Sequence, residues 1–113
     1  MASDAVIELT NENFEAEVLN SDIPVIVDFW AVWCQPCLMV AQYVDELAER
    51  HAGQVKVGKV NTEEAQELAI KYQIMSIPTI MLFKGGEKVA QIVGARHSAD
   101  DLARDLKLEE AMA

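Results

Sequence analysis

Three observations predict an α/β fold with a mixed sheet covered by helices on both faces. Runs of β-favouring residues alternate with helical stripes, the last two strands close as a hairpin, and one strand is apolar on both of its faces. Val6 to Leu9 forms a first short strand. Thr10 then caps a helix that buries Phe14 and Val18 at a spacing of four. Val25 to Trp30 is the nearly continuous apolar strand. From Cys34 the period changes, because Cys37, Val40, Ala41, Val44, Leu47 and Ala48 follow helical spacing up to a stop near Gly53. Val55 to Val60 is the next strand. Asn61 with Glu64 opens a third helix that buries Ala65, Leu68, Ala69 and Tyr72. Thr79 to Phe83 and Lys88 to Val93 are strands joined by the turn Lys84-Gly85-Gly86-Glu87. Ser98 and Asp101 resemble a capping box before a last helix with Ala99, Leu102, Ala103 and Leu106 inward. The order β-α-β-α-β-α-β-β-α gives crossovers first and a hairpin last.

The 113 residues are 51% apolar, enough for a core without covalent staples, and no repeat or Gly/Ser/Pro-rich linker divides them. Residues 1–113 are expected to form one domain. No stretch approaches the roughly 20 apolar residues of a membrane-spanning helix. The opening Met-Ala-Ser-Asp lacks the basic and apolar segments of a secretory signal, so a cytoplasmic location is expected. Nine basic against nineteen acidic residues leave a formal charge of -10, which disfavours nucleic acid and anionic membrane as partners. The excess lies in the first half, where residues 1–49 carry ten acidic residues and no Lys or Arg. That asymmetry reads as a solubilising face or as a docking face for a basic partner.

The two cysteines, Cys34 and Cys37, are three residues apart, too close to staple a fold. Redox chemistry, metal binding or chance must account for them. Zinc would need two further ligands, and the only histidines are His51 and His97, which are not spaced as a pair. Covalent haem would need a histidine where Leu38 stands. The segment Trp33-Cys34-Gln35-Pro36-Cys37 lies where the buried strand hands over to a helix. There, unpaired N–H groups and the positive end of the helix dipole stabilise a thiolate at Cys34. Pro36 fits the first turn because its missing N–H has no intrahelical acceptor to lose. Cys37 falls on the apolar side of the same helix, less exposed than Cys34.

Asp28 interrupts the buried strand on the face of Ile26 and Trp30, where desolvation disfavours its charge. It is either a proton acceptor for Cys37, or one half of a structural polar pair, or a strand position that faces solvent. Lys59, the one basic residue inside a strand expected to pair beside it, is its nearest charge. Pro78 opens a strand, a place where proline is ordinarily an edge device. Trp30 and Trp33 read as a core and a surface aromatic, and the five methionines as gap-fillers.

These residues carry a wider likeness. Val27 to Cys37, Lys59-Val60-Asn61, Ser76-Ile77-Pro78-Thr79, Phe83-Lys84-Gly85-Gly86 and Val93-Gly94 together resemble the thioredoxin family in register over nearly the whole chain. The resemblance implies a central sheet of five strands ordered 1-3-2-4-5 with four helices on its two faces. It also implies an active site at the helix start and a cis Ile77-Pro78 bond against the dithiol. Cys34 would be the attacking thiolate, Cys37 the resolving thiol, and Asp28 with Lys59 the proton-handling pair. Trp33, Gln35, Pro36, Ile77, Pro78 and the loop Val93-Gly94-Ala95 would form the docking surface for substrate.

The implied activity is disulfide reduction in other proteins, a carrier of electrons for cell redox balance. It would need no metal or organic cofactor, act as a monomer, and be recycled by a separate thioredoxin reductase. A disulfide oxidase or isomerase on the same fold, or a non-catalytic partner subunit, are the competing readings. Four positions depart from the family pattern. Gln35 replaces a glycine, Leu38 a basic residue and Gln42 a helix-kinking proline. Gln73 replaces the glycine that commonly ends the third helix, so it is expected to adopt a left-handed backbone.

Overall fold

The computed structural model describes residues 3–113. Strands β1 (Val6–Leu9), β2 (Val25–Trp30), β3 (Lys56–Asn61), β4 (Thr79–Lys84) and β5 (Glu87–Val93) form one sheet in the order β1-β3-β2-β4-β5. The first three run parallel, whereas β4 is antiparallel to β2 and β5 to β4. Crossovers therefore build one half of the sheet and a hairpin the other, as the element order predicts. Gly58 lets β1 close on β3, because a Cβ there would stand 2.5 Å from the Leu9 side chain. The hairpin loop shrinks to Gly85 and Gly86, both at positive φ (62° and 83°), which suits the twist of a two-residue connection.

Alternation along β2 divides the interior in two. Val25, Val27 and Phe29 face Phe14, Val18, Leu68 and Phe83, while Ile26 faces Val40, Val44 and Leu47 of α1 (Gln35–Arg50) and Leu102 and Leu106 of α3 (Ala99–Leu106). Asp28 shares the parity of Ile26. Ser98 caps α3 by accepting the Asp101 N–H at 3.0 Å, one half of the expected capping box.

The structure amends three local expectations. Thr10 and Asn13 do cap each other reciprocally, at 3.1 and 2.7 Å, but the segment that follows is a π-helix over Glu15–Leu19, its Asn20 N–H bonding Glu15 O. The wider turn still buries Phe14 and Val18, and Lys56 ties it to β3 through Glu17 at 3.2 Å. Asn61 ends β3 instead of opening a helix. Thr62 bonds the Trp30 carbonyl through its N–H and hydroxyl, and Asn61 Oδ1 takes the Glu63 N–H, so α2 starts only at Gln66 and ends at Lys71. A further short helix, α4 (Leu108–Met112), follows α3 after Lys107 turns left-handed at φ 57°, burying Leu108 and Ala111. Gln73 adopts the expected left-handed backbone at φ 55°. No helix among the described residues is long and apolar enough to cross a membrane.

Candidate active site

β2 delivers the chain from the middle of the sheet to its end, where Ala31 to Trp33 turn and the Cys34 N–H bonds Ala31 O at 3.2 Å. Cys34 has extended backbone and is the N-cap of α1, with Pro36 in the first turn. Its Sγ accepts the Cys37 N–H at 3.2 Å, the place a capping oxygen would otherwise take. A sulfur that caps a helix receives the N–H groups and dipole that favour negative charge. Cys34 and Cys37 are joined as a disulfide, with Cα atoms 5.2 Å apart.

Both cysteines are buried, Cys34 at 4% exposure and Cys37 at 1%. The ranking expected from helical position holds, but the contrast is small in the oxidised form. The reason is packing: Ala31, Trp30 and Ile77 close around the pair. The Ile77-Pro78 bond is cis and the Ile77 carbonyl oxygen lies 3.8 Å from Cys34 Sγ. The Gly94 N–H donates to Pro78 O at 2.8 Å, which holds Val93, Gly94 and Ala95 beside the same edge. Arg96 secures the far side of that loop through Asp105 on α3, at 2.6 Å. Hydrogen bonds from Arg104 and Arg96 hold the Asp105 carboxyl down at about 2.

The residues expected to dock substrate thus converge around the disulfide. Trp33, Gln35 and Pro36 are exposed on the helix side, and Val93 is exposed on the loop side, while Pro78 is buried between them. Trp33 is 65% exposed and its indole N–H donates to Glu63 Oε2 at 3.2 Å. Sequence reasoning missed Glu63, because the Asn61 turn that aims it was read as a helix start. It also missed Met75, 91% exposed, which with Trp33, Ile74 and Ile77 lines a groove of about 400 Å³ beside the dithiol. Val32 and Leu38 extend this exposed apolar rim.

Asp28, on β2 ahead of the turn, is wholly buried, with no hydrogen-bond partner for either carboxylate oxygen. Burial pushes its carboxyl up from 3.8 to about 7; Lys59 pulls the other way, and Asp45 adds to the rise. Lys59 pairs with it across β2 and β3 and sets its ammonium 4.7 Å from the centre of the Trp30 ring. His51 caps the opposite end of α1 from Cys34. Among the described residues no cluster of three or more His, Cys, Asp or Glu side chains could hold a metal ion.

A redox-active cysteine pair at a helix start, backed by a cis-proline and a buried carboxyl, defines a thiol-disulfide oxidoreductase. The thioredoxin family model matches residues 5–108. Thioredoxin 1 of Nostoc sp. is 56% identical over 91 residues, covering 80% of this chain and 85% of that one. Thioredoxin 1 of Synechococcus elongatus is 56% identical over 87 residues, covering 77% and 81%. A bifunctional thioredoxin reductase/thioredoxin of Mycobacterium leprae is 48% identical over 100 residues, 88% of this chain but 22% of that one. The chain belongs to the thioredoxin family, and its activity is protein-disulfide reduction.

Proposed function

We propose that residues 1–113 act as a single thioredoxin unit, a cytoplasmic monomer that carries electrons from a separate thioredoxin reductase to disulfides in other proteins. The observation that carries this reading is the sulfur of Cys34 serving as helix cap, because it makes one thiol of the pair the better anion. Cys34 thiolate attacks a substrate disulfide, forming a mixed disulfide and releasing one substrate thiolate. Cys37 then passes its proton to Asp28 and attacks the Cys34 sulfur. The Cys34–Cys37 disulfide forms and the second substrate thiolate leaves, so two electrons have moved to the substrate; one leaving thiolate takes back the Cys37 proton from Asp28, directly or through solvent, and the other is protonated from water.

Asp28 suits that acceptor role because a carboxyl near 7 is half-ionised where the reaction runs. Lys59 balances it from β3. Trp33, Gln35, Pro36, Ile77, Pro78, Val93, Gly94 and Ala95 receive the substrate segment that flanks its disulfide. The charge of -10 favours a monomer and repels nucleic acid and anionic membranes. Reductive work of this kind belongs to a compartment where thiols stay reduced. The Mycobacterium leprae relative, named as both reductase and thioredoxin, joins the two partners this reading requires.

The test is trapping. Cys37→Ser should accumulate a mixed disulfide between Cys34 and a disulfide-bonded protein, visible as a thiol-reversible band and mapped by peptide mass. Cys34→Ser should give none. A trapped adduct at Cys37 in the Cys34→Ser variant, with none at Cys34 in Cys37→Ser, would reverse the two roles.

A further inference from the structure

The groove beside the disulfide runs from Trp33 and Thr62 to Met75 and Ile77, and no charged side chain lines it. The docking residues on the helix side, Trp33, Gln35 and Pro36, come from the stretch 1–49 that holds no Lys or Arg, and the exposed Leu38 beside them adds none. On the loop side Arg96 is engaged by Asp105 at 2.6 Å. Lys59 is half-buried, with its ammonium over the Trp30 ring. Neither flank therefore offers substrate an unengaged Lys or Arg among the described residues.

The groove margin does offer a carboxylate. Glu63 follows Thr62 in the chain, is exposed, and accepts the Trp33 indole N–H on Oε2 at 3.2 Å. Its backbone is pinned on both sides. The Glu63 N–H donates to Asn61 Oδ1 at 3.0 Å, and the Glu63 carbonyl accepts the Gln66 side-chain amide at 3.2 Å. Among the described residues no Lys or Arg pairs with it. An indole N–H is a neutral donor that fills one of about four acceptor sites of a carboxylate, so the negative charge stays uncompensated at the edge of an apolar groove.

We propose that Glu63 is a specificity-determining residue: a disulfide in a segment that sets a Lys or Arg beside the apolar side chain entering the groove is reduced faster than one in an acidic segment. The inference rests on the reductase reading above and narrows its substrate class. The apolar side chain lies among Trp33, Met75 and Ile77, and the cation meets Glu63 at the margin. The Trp33 bond holds the carboxylate in place beforehand, which reduces the side-chain entropy lost when the pair forms.

The test uses disulfide-bonded peptides that carry one apolar residue next to the cysteine and Lys, Gln or Glu beside it, placed in turn on either side of the cysteine. On at least one side, wild-type kcat/KM should rise about twofold to fivefold from Gln to Lys and fall by a similar factor from Gln to Glu, with the spread shrinking in high salt. Glu63→Gln keeps an acceptor for the indole and removes the charge, so the spread should collapse. Glu63→Lys should invert the order; the spread is a ratio within one variant, so the lost indole bond cancels. Glu110→Gln makes the same change in net charge in the cleft beside His51, at the other end of α1, and should keep the wild-type spread. A wild type indifferent to the three residues on both sides, or a spread that survives Glu63→Gln, overturns the proposal and leaves the reductase reading standing. A wild type that reduces none of the peptides, the Gln peptide included, overturns the reductase reading and the proposal with it.

Discussion

On one face of the sheet, Phe14, Phe29, Tyr72 and Phe83 interlock with ring centroids 5.4 to 6.2 Å apart, and the buried polar side chain opposite Phe29, Thr79, is satisfied by donating its hydroxyl to Ser76 O at 2.6 Å. On the other, Ile26, Val40, Val44 and Leu47 form an equally closed layer, yet Asp28 is sealed among them without a hydrogen bond. The first face is built for stability, and its edge residues Ile74 and Ile77 also line the groove beside the disulfide. The second gives up stability at one position, Asp28, on the strand that leads into the cysteine pair. A buried carboxyl that the fold does not satisfy marks chemistry where packing alone would have chosen a leucine or valine.

The contrast can be broken from either side. The largest effect is expected from Phe29→Ala, which empties the centre of the aromatic face and should cost about 3–5 kcal/mol in denaturant unfolding. Asp28→Asn should act in the opposite sense and only in part of the pH range. The folded carboxyl sits at about 7 against 3.8 when free, so between these values the native state binds more protons than the unfolded chain. Stability contributed by this group therefore falls as pH rises from about 4 to 7 and stays low above. At about 1.4 kcal/mol per pH unit the fall approaches 4 kcal/mol. Unfolding at pH 4 and pH 8 should show that fall in the wild type and its loss in Asp28→Asn.

Smaller effects sharpen how the frame around the two faces is held. Gly58→Ala should cost about 1–3 kcal/mol, because its Cβ would drive Leu9 out of the aromatic face and loosen β1 from β3. Ser98→Ala should cost about 1 kcal/mol by removing the cap of α3, with thiol exchange unchanged.

The aromatic face was readable from the sequence almost residue by residue. Phe14, Val18, Phe29, Leu68 and Phe83 follow strand or helix periods with nothing to contradict them. The dithiol was readable too, since Cys34, Pro36 and Cys37 each fit a specific position at a helix start. Asp28 was visible as an interruption, but its isolation was not, because whether a carboxylate is paired depends on side-chain reach across β2 and β3. Glu63 was invisible as a neighbour of Trp33. It reaches the indole only because Asn61 and Thr62 make a turn that local pattern reading assigned to a helix. The π-helix escaped for a related reason, since a spacing of four between Phe14 and Val18 suits an α-turn equally well.

Everything turns on why the second face carries a charge in its core. Stopped-flow measurement of mixed-disulfide release between pH 6 and 8, comparing wild type with Asp28→Asn, tests it most directly. The account predicts release at least about tenfold slower in Asp28→Asn, with formation of the mixed disulfide unchanged, and loss of the wild-type pH dependence centred near 7. Release at the wild-type rate across that range would contradict it, leaving Asp28 as a buried charge without a chemical purpose.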